Sequence, residues 1–327
     1  MNPKLRLVIN VTRDKRVHTI IEDTISANAT VSLMCDRVYT SGKADLIKQI
    51  QSADVLFSFA VPEEAINIGA NLKWIHLASA GVEKSLTPHL MASKIKLTCS
   101  RGIHANTIAE YVLMQILAFS KNIRKAYEYQ AKHQWRFEEL IERRFDLEGK
   151  TIFIIGLGSI GSRVAKLAKA FDMNVIGSVN KIRKIKNVDK VYPTSRLKEC
   201  LAHSDIVVLS TPLTEKTYHL IGKDQLAVMK ESAFLVNIGR GKLVDEAALI
   251  AALKAKKIAG AALDVFETEP LPPDSPFWDM ENVSVTPHYS GMAEDLWRKV
   301  ANRFCENAIR FVNGKRMLGV VNKKEGY

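Results

Sequence analysis

The stretch "TIFIIGLGSIGSRVAKLAKAF", residues 151–171, constrains the fold more than any other. An apolar run ends in Gly156, Gly158 and Gly161 at G-x-G-x-x-G spacing, and a helix-period segment with one apolar face follows at once. Three glycines alone fit any tight strand-to-helix turn. Set between an apolar strand and an apolar-faced helix, they bring backbone N–H groups and a helix N-terminus to one point, where a pyrophosphate can be held. Such a turn predicts a parallel sheet wrapped by helices, and the rest of the chain keeps that rhythm. Before it, "LRLVIN", "VSLMC", "DVLFSF" and "LKWIHL" read as strands, with "GKADLIKQIQS" a helix among them. After it, "NVIGSV", "DIVVLS", "FLVNIG", "IAGAALDVF" and "NVSVTPH" read as strands.

Between the two series, "TIAE" at Thr107 has the pattern of a capping box, and residues 107–133 read as one long helix or two abutting ones. A last amphipathic helix is expected over roughly 293–313. A chain of 327 residues suits two domains, and no fixed-period repeat or low-complexity tract interrupts it. "EPLPPDSP", residues 269–276, reads as an ordered loop between two strands.

The formal charge of +12 would suit a polyanionic partner, yet the lysines are spread along the chain and "KIRKIK" is the one dense cluster. Solvated surface charge is therefore expected, and no nucleic-acid partner. The most apolar run, "YVLMQILAF", is broken by Gln115 and too short to span a bilayer, so no membrane segment or signal peptide is expected. Cys35, Cys99, Cys200 and Cys305 lie far apart with no C-x-x-C pair, which fits reduced thiols and no metal site.

Three successive strand ends carry the chemistry. "NIGRG" sets Arg240 past one, "DVFETEP" sets Asp264 and Glu269 past the next, and "TPHYSG" sets His288 past the third. Strand carboxyl ends form the ligand crevice of an open α/β sheet. There an arginine can grip a carboxylate or carbonyl oxygen with two donors, a histidine can give up a proton, and a glutamate favours the charged imidazole. With a bound dinucleotide, that set is sufficient to reduce an α-keto acid. Taken singly, the same residues read as a surface arginine, a structural histidine after a proline turn and a solvated acid.

On "GLGSIG", "VNIGRGKLVDEAAL", "AALDVFETEPLPPDSPFWDMENVSVTPHYSG" and the closing "VVNKKEGY", the chain resembles the D-isomer-specific 2-hydroxyacid dehydrogenases of the glyoxylate/hydroxypyruvate reductase kind. The match is continuous from about Ala78 to the C-terminus and loose before it. The resemblance implies an α/β architecture in which a Rossmann dinucleotide-binding domain, residues 102–291, is inserted into a flavodoxin-like substrate domain made of residues 1–101 and 292–327. It implies that Arg240 anchors the substrate, that His288 is the general acid–base and that Glu269 is its partner. Ala80, Gly81 and Val82 in "ASAGVE" would receive the substrate carboxylate through backbone N–H groups; without the resemblance that loop is a plain glycine turn. The implied cofactor contacts are Gly156, Gly158, Ser159, Ile160 and Gly161 on the glycine turn, Ser178, Asn180, Lys181 and Arg183 after the next strand, then Thr211, Pro212, Ile238 and Asp264.

The implied activity is NAD(P)H-dependent reduction of a small 2-keto acid, of the glyoxylate, hydroxypyruvate or pyruvate class, to a D-2-hydroxy acid by a cytoplasmic homodimer. One rival on the same scaffold is formate or phosphonate oxidation. Formate dehydrogenases of this fold carry Gln where Glu269 stands, which argues against that reading. The other is a dinucleotide-sensing transcriptional corepressor, which an intact Arg–Glu–His set does not exclude.

Two departures from the family pattern stand out. Phe153 replaces a residue that is often small, a packing variation. The acid usually found about twenty residues past the glycine turn is missing, and Ser178, Val179 and Asn180 lead instead into Lys181, Arg183 and Lys184. NADP(H) is therefore the expected cofactor, with NAD(H) the alternative and a solvated basic loop the competing account of "NKIRKIK". Trp135 is expected in the core or an interface ahead of a substrate contact, and Phe57 and Phe59 in the core ahead of the substrate side.

Overall fold

The computed structural model describes residues 4–142 and 144–326; Tyr327, the last residue of the closing motif, lies outside them. The chain divides into two compact units, Met1–His104 with Ala293–Tyr327, and Ala105–Met292.

The first unit is a five-stranded parallel sheet in the order β2-β1-β3-β4-β5, the flavodoxin order. Its elements are β1 (Leu5–Asn10), α1 (Lys15–Ala27), α2 (Ala29–Met34), β2 (Cys35–Tyr39), α3 (Lys43–Ile50), β3 (Val55–Ser58), α4 (Glu63–Ile68), β4 (Trp74–Leu77), α5 (Pro88–Ala92), β5 (Lys96–Cys99) and, from the far end of the chain, α13 (Leu296–Val312). Alternation along β1 sends Leu7 and Ile9 into one hydrophobic layer and Val8 into the other, so both faces of the sheet are covered. The C-terminal helix belongs here because Phe304 stacks flat on Trp74 and on Phe57, with ring centroids 5.2 and 4.7 Å apart. Full burial of one such side chain contributes about 1.5–3 kcal/mol.

The reading of "VSLMC" as a strand is corrected. Val31–Met34 lie in α2, whose start is capped by the Asn28 side chain accepting from Val31 N–H at 3.2 Å, and the strand is the next segment, Cys35–Tyr39. Short β5 carries no sequence signal of its own beyond "KLTC".

The second unit is a seven-stranded parallel sheet in the order β12-β11-β10-β9-β6-β7-β8. In chain order it contains α6 (Ala105–Ser120), α7 (Ile123–Ala131), α8 (Phe137–Ile141), β6 (Thr151–Ile155), α9 (Ser159–Lys169), β7 (Asn174–Val179), β8 (Lys190–Pro193), α10 (Leu197–His203), β9 (Ile206–Leu209), α11 (Lys223–Val228), β10 (Phe234–Asn237), α12 (Glu246–Lys254), β11 (Gly260–Leu263) and β12 (Val283–Val285). From β6 the chain builds outward to β7 and β8, then returns to build the other way through β9, so the strand order reverses between β6 and β9. That switch point opens a crevice at the strand carboxyl ends, which is where open α/β sheets of Rossmann type hold their ligands.

Ile152 and Ile154 of β6 face the layer shared with α6 and α9, while Phe153 and Ile155 face the layer shared with α10, α11 and α12. Phe153 is thus fully buried packing. The long helical segment is two helices, broken at Asn122, which takes the left-handed conformation at φ 55°. Its first helix begins at Ala105, so Thr107 sits inside the first turn and does not cap it. Among the described residues no helix is long and apolar enough to cross a membrane.

Candidate functional site

The glycine turn begins where β6 ends. Gly156 N–H donates to Ser178 O of β7 at 3.2 Å. Gly156 has φ +96°, and a Cβ there would stand 2.8 Å from Thr211 N. Gly161, in the first turn of α9, is tighter, since a Cβ would come within 2.1 Å of Gly156 O. Only glycine lets the helix start this close to the strand it follows. At Gly158 a Cβ would meet nothing within 4 Å, so this exposed residue leaves open space in front of the α9 N-terminus. Ser159 and Ile160 supply first-turn N–H groups there, at the positive end of the helix dipole. These residues fit a pyrophosphate.

β7 runs beside β6 with Ser178 in register with Ile155, which brings the basic turn next to the glycine turn. Ser178 is buried, and its Oγ has no hydrogen-bond partner among the described residues. Asn180, Lys181 and Arg183 are exposed beyond it, and Asn180 Oδ1 accepts from Thr194 Oγ1 at 3.5 Å. On the other side of the switch point, Thr211 is half-buried, Pro212 is exposed with its carbonyl accepting from Thr217 Oγ1 at 2.8 Å, and Ile238 is buried.

The catalytic candidates occupy the next three strand ends. Asn237, the last residue of β10, shapes the turn by donating from Nδ2 to Arg240 O at 2.9 Å and accepting Gly239 N–H on Oδ1 at 3.1 Å. Arg240 is half-buried on that turn, with Nη1 donating to Gly239 O at 2.7 Å. Past β11, Glu269 Oε1 accepts Phe266 N–H at 3.0 Å, while Oε2 lies 2.8 Å from Nδ1 of His288, past β12. A carboxylate on Nδ1 fixes the ring and leaves Nε2 to face a reacting group. The histidine side chain is half-exposed, so a substrate can reach it.

Asp264 differs from the expected cofactor contact in what it touches. It has no exposed surface, and it accepts from Thr286 Oγ1 at 2.7 Å and from Tyr289 and Ser290 N–H at 3.0 and 3.1 Å, all on the loop that carries His288. Sequence reading missed Thr286 in this role, and it missed a neighbouring cluster. Glu267 Oε1 lies 3.0 Å from His219 Nε2 and accepts Glu246 N–H, while Glu246 Oε1 accepts Glu267 N–H at 2.7 Å. Burial, followed by the facing Glu267 charge, holds the Glu246 carboxyl above the usual range. Nothing local in the sequence links residues 219, 246 and 267.

In the first unit, the loop after β4 holds half-buried Ala80 and Gly81 and buried Val82. Ser79 Oγ braces it by donating to Gly81 O at 2.7 Å, and Ala78 N–H ties its start to Ser58 O. Phe57 is core, stacked on Phe304, whereas Phe59 is exposed. Trp135 is 94% exposed and so is not a core residue. Among the described residues no group of three or more His, Cys, Asp and Glu side chains could hold a metal ion.

A family model described as the D-isomer specific 2-hydroxyacid dehydrogenase NAD binding domain matches residues 113–290. The chain is 33% identical over 289 residues to a glyoxylate reductase of Korarchaeum cryptofilum, covering 86% of each. It is similar to the crystal structure of a D-isomer specific 2-hydroxyacid dehydrogenase from Xanthobacter autotrophicus in complex with NADPH and MES, with a TM-score of 0.85, 28% identity and coverage of 99% of this chain and 100% of that one. It is similar also to an NADPH-dependent glyoxylate/hydroxypyruvate reductase from Sinorhizobium meliloti solved with NADP and sulfate, with a TM-score of 0.84, 26% identity and the same coverage.

Proposed function

The chain belongs to the D-isomer-specific 2-hydroxyacid dehydrogenase family, NAD(P)-dependent oxidoreductases acting on 2-keto and 2-hydroxy acids, and on that premise we propose that it reduces small 2-keto acids of the glyoxylate, hydroxypyruvate and pyruvate class to D-2-hydroxy acids, with NADPH preferred to NADH. The observation that carries this reading is the 2.8 Å pairing of His288 with Glu269 one strand away from Arg240, at the end of the sheet where the glycine turn opens.

The second unit would hold the cofactor through Gly156, Gly158, Ser159, Ile160 and Gly161 at the pyrophosphate, with Thr211, Pro212 and Ile238 along the crevice. A reduced nicotinamide bound there supplies the hydride. His288, oriented by Glu269, donates its Nε2 proton to the oxygen that becomes the hydroxyl. Arg240 meets the substrate's carboxylate and keto oxygen with paired N–H donors, which favours the oxyanion as it forms. In the first unit, the backbone N–H groups of Ala80, Gly81 and Val82 are the candidate donors to a carboxylate. Small substrates are favoured because relatives named as glyoxylate reductases are matched along most of their length. The NADPH preference rests on the missing acid after β7 and on exposed Lys181 and Arg183 in its place. A cytoplasmic homodimer completes the proposal.

The test is a panel of 2-keto acids assayed with both reduced cofactors, with the product's configuration determined. Turnover of glyoxylate or hydroxypyruvate to the D-product with NADPH is expected. A panel without turnover would reject the reading.

A further inference from the structure

Among the described residues, every hydrogen bond to the Asp264 carboxylate comes from the loop that carries His288, and every donor is neutral. Thr286 Oγ1 gives its one proton to Asp264 Oδ1, so its oxygen is left to accept. The phenol of Tyr111 lies 2.6 Å from that oxygen, and Gln115 Nε2 donates to the Tyr111 oxygen in turn at 2.9 Å. The bonds therefore run one way, from amide to phenol to threonine to carboxylate. Tyr111 and Gln115 are both buried, four residues apart on one face of α6. The Tyr111 ring also meets Tyr289 edge-on, with centroids 5.8 Å apart at 87°.

Between these anchors His288 takes φ +52°, a left-handed conformation that surrounding bonds must hold. Thr286 is fixed on one side of it, and Tyr289 and Ser290 on the other.

We propose that Tyr111, backed by Gln115 and acting through Thr286 and Asp264, is a positioning residue that holds His288 in the orientation from which it transfers a proton. The proposal rests on His288 being the acid–base of the reaction proposed above. Burial pushes the Tyr111 phenol up to about 12, so it remains a donor throughout the neutral range. Tyr111 and Gln115 thereby link α6 to the His288 loop through a chain of hydrogen bonds.

Three substitutions isolate the effect. Tyr111→Phe keeps the ring against Tyr289 and removes the hydroxyl; Thr286→Val removes the donor to Asp264; Thr286→Ser returns it. Each is assayed on the best keto acid of the panel for kcat and KM, with NADPH affinity read from cofactor fluorescence. Tyr111→Phe and Thr286→Val should each lower kcat by roughly tenfold to a hundredfold, the scale of a misplaced catalytic group. KM and NADPH affinity should stay within about twofold of wild type, the signature of an interaction made only in the reaction step. Thr286→Ser should recover most of the loss, and the double variant should be no slower than Thr286→Val alone. Near wild-type kcat in both single variants, alongside an inactive His288→Ala, would overturn the proposal and leave the role of His288 standing. A parallel loss of NADPH affinity, or no recovery in Thr286→Ser, would overturn it as well. An active His288→Ala would instead reject the reading of His288 on which it rests.

Discussion

Among the described residues His288 has Nδ1 committed to Glu269 and Nε2 without a hydrogen-bond partner, and this division makes its removal informative. His288→Ala should lower turnover by roughly 100- to 10,000-fold, the usual span for a general acid. Cofactor affinity should hardly change, because the imidazole acts on the substrate. Turnover within about threefold of wild type would remove the histidine from the mechanism. Arg240→Lys should also be poorly tolerated, since an ammonium cannot reproduce a planar pair of donors, and near-normal kcat/KM would make Arg240 a bystander. A different histidine, His76, contributes a pH dependence to stability. His76 is wholly buried in the first unit, its Nδ1 2.7 Å from Thr98 Oγ1, and burial, with a smaller contribution from Arg303, pushes it down to about 3 from 6.5. As pH falls below 6.5 the unfolded chain takes up a proton that the folded chain refuses. Its stabilising effect is therefore complete above 6.5 and is lost between 6.5 and about 3. Urea midpoints for wild type and His76→Asn, compared from pH 7 to pH 5, should show a steeper decline in wild type, by one linked proton. Parallel slopes would show that His76 titrates alike in both states.

At the scale of elements, legibility followed chain order. Arg240, Glu269 and His288 could be read together because β10, β11 and β12 are consecutive in sequence and adjacent in the sheet. The Tyr111–Thr286 bond could not be read, since its partners are 175 residues apart and neither sits in a motif. α2 reads as a strand in sequence because a short apolar run has no decisive period, and its capping by Asn28 is hidden by the helix that ends at the same residue. β8, four residues at the sheet edge ending in Pro193, has no apolar alternation to announce it. The β7 turn was read from an absence, that of an acid, and this carries the cofactor prediction. Lys181 and Arg183 are exposed beside a strand end that pairs with the glycine turn. Each charge-assisted contact to a ribose 2′-phosphate contributes roughly 1.5–3 kcal/mol, so two support a preference of about a hundredfold or more for NADPH. The ratio of kcat/KM with NADPH to that with NADH should collapse in Lys181→Ala with Arg183→Ala. A wild-type ratio favouring NADH, or one the double substitution leaves alone, would mean that the turn is only a solvated basic loop.

Across the whole molecule, residue periodicity announced parallel sheets, but the return of the last helix to the first sheet came from the resemblance alone. The stacking of Phe304 on Trp74 that explains it joins residues 230 positions apart in the chain. The apolar character of residues 107–133 was likewise real but differently placed. Half of the residues of α6 are buried, whereas α7 and α8 bury no residue and expose Ile123, Tyr127, Phe137 and Ile141, with Trp135 between them. An isolated chain rarely leaves that much apolar surface on neighbouring segments in water. Its covering by the same segments of a second copy, about a two-fold axis, is the simplest closed solution, since one patch then serves both partners. A stable interface of this kind buries on the order of 1,200 Å² or more in total, and aromatic anchors such as Trp135 supply much of its free energy. Light scattering at micromolar concentration should therefore give twice the 36.5 kDa of one chain. Trp135→Glu with Phe137→Glu places like charges on both sides of the interface and should return the mass to a single chain, with the second unit's NADPH affinity retained because neither residue lies near the glycine turn in sequence or on its strands. A wild-type mass of one chain would reject the dimer, and a double variant that still weighs two chains would move its interface off these helices.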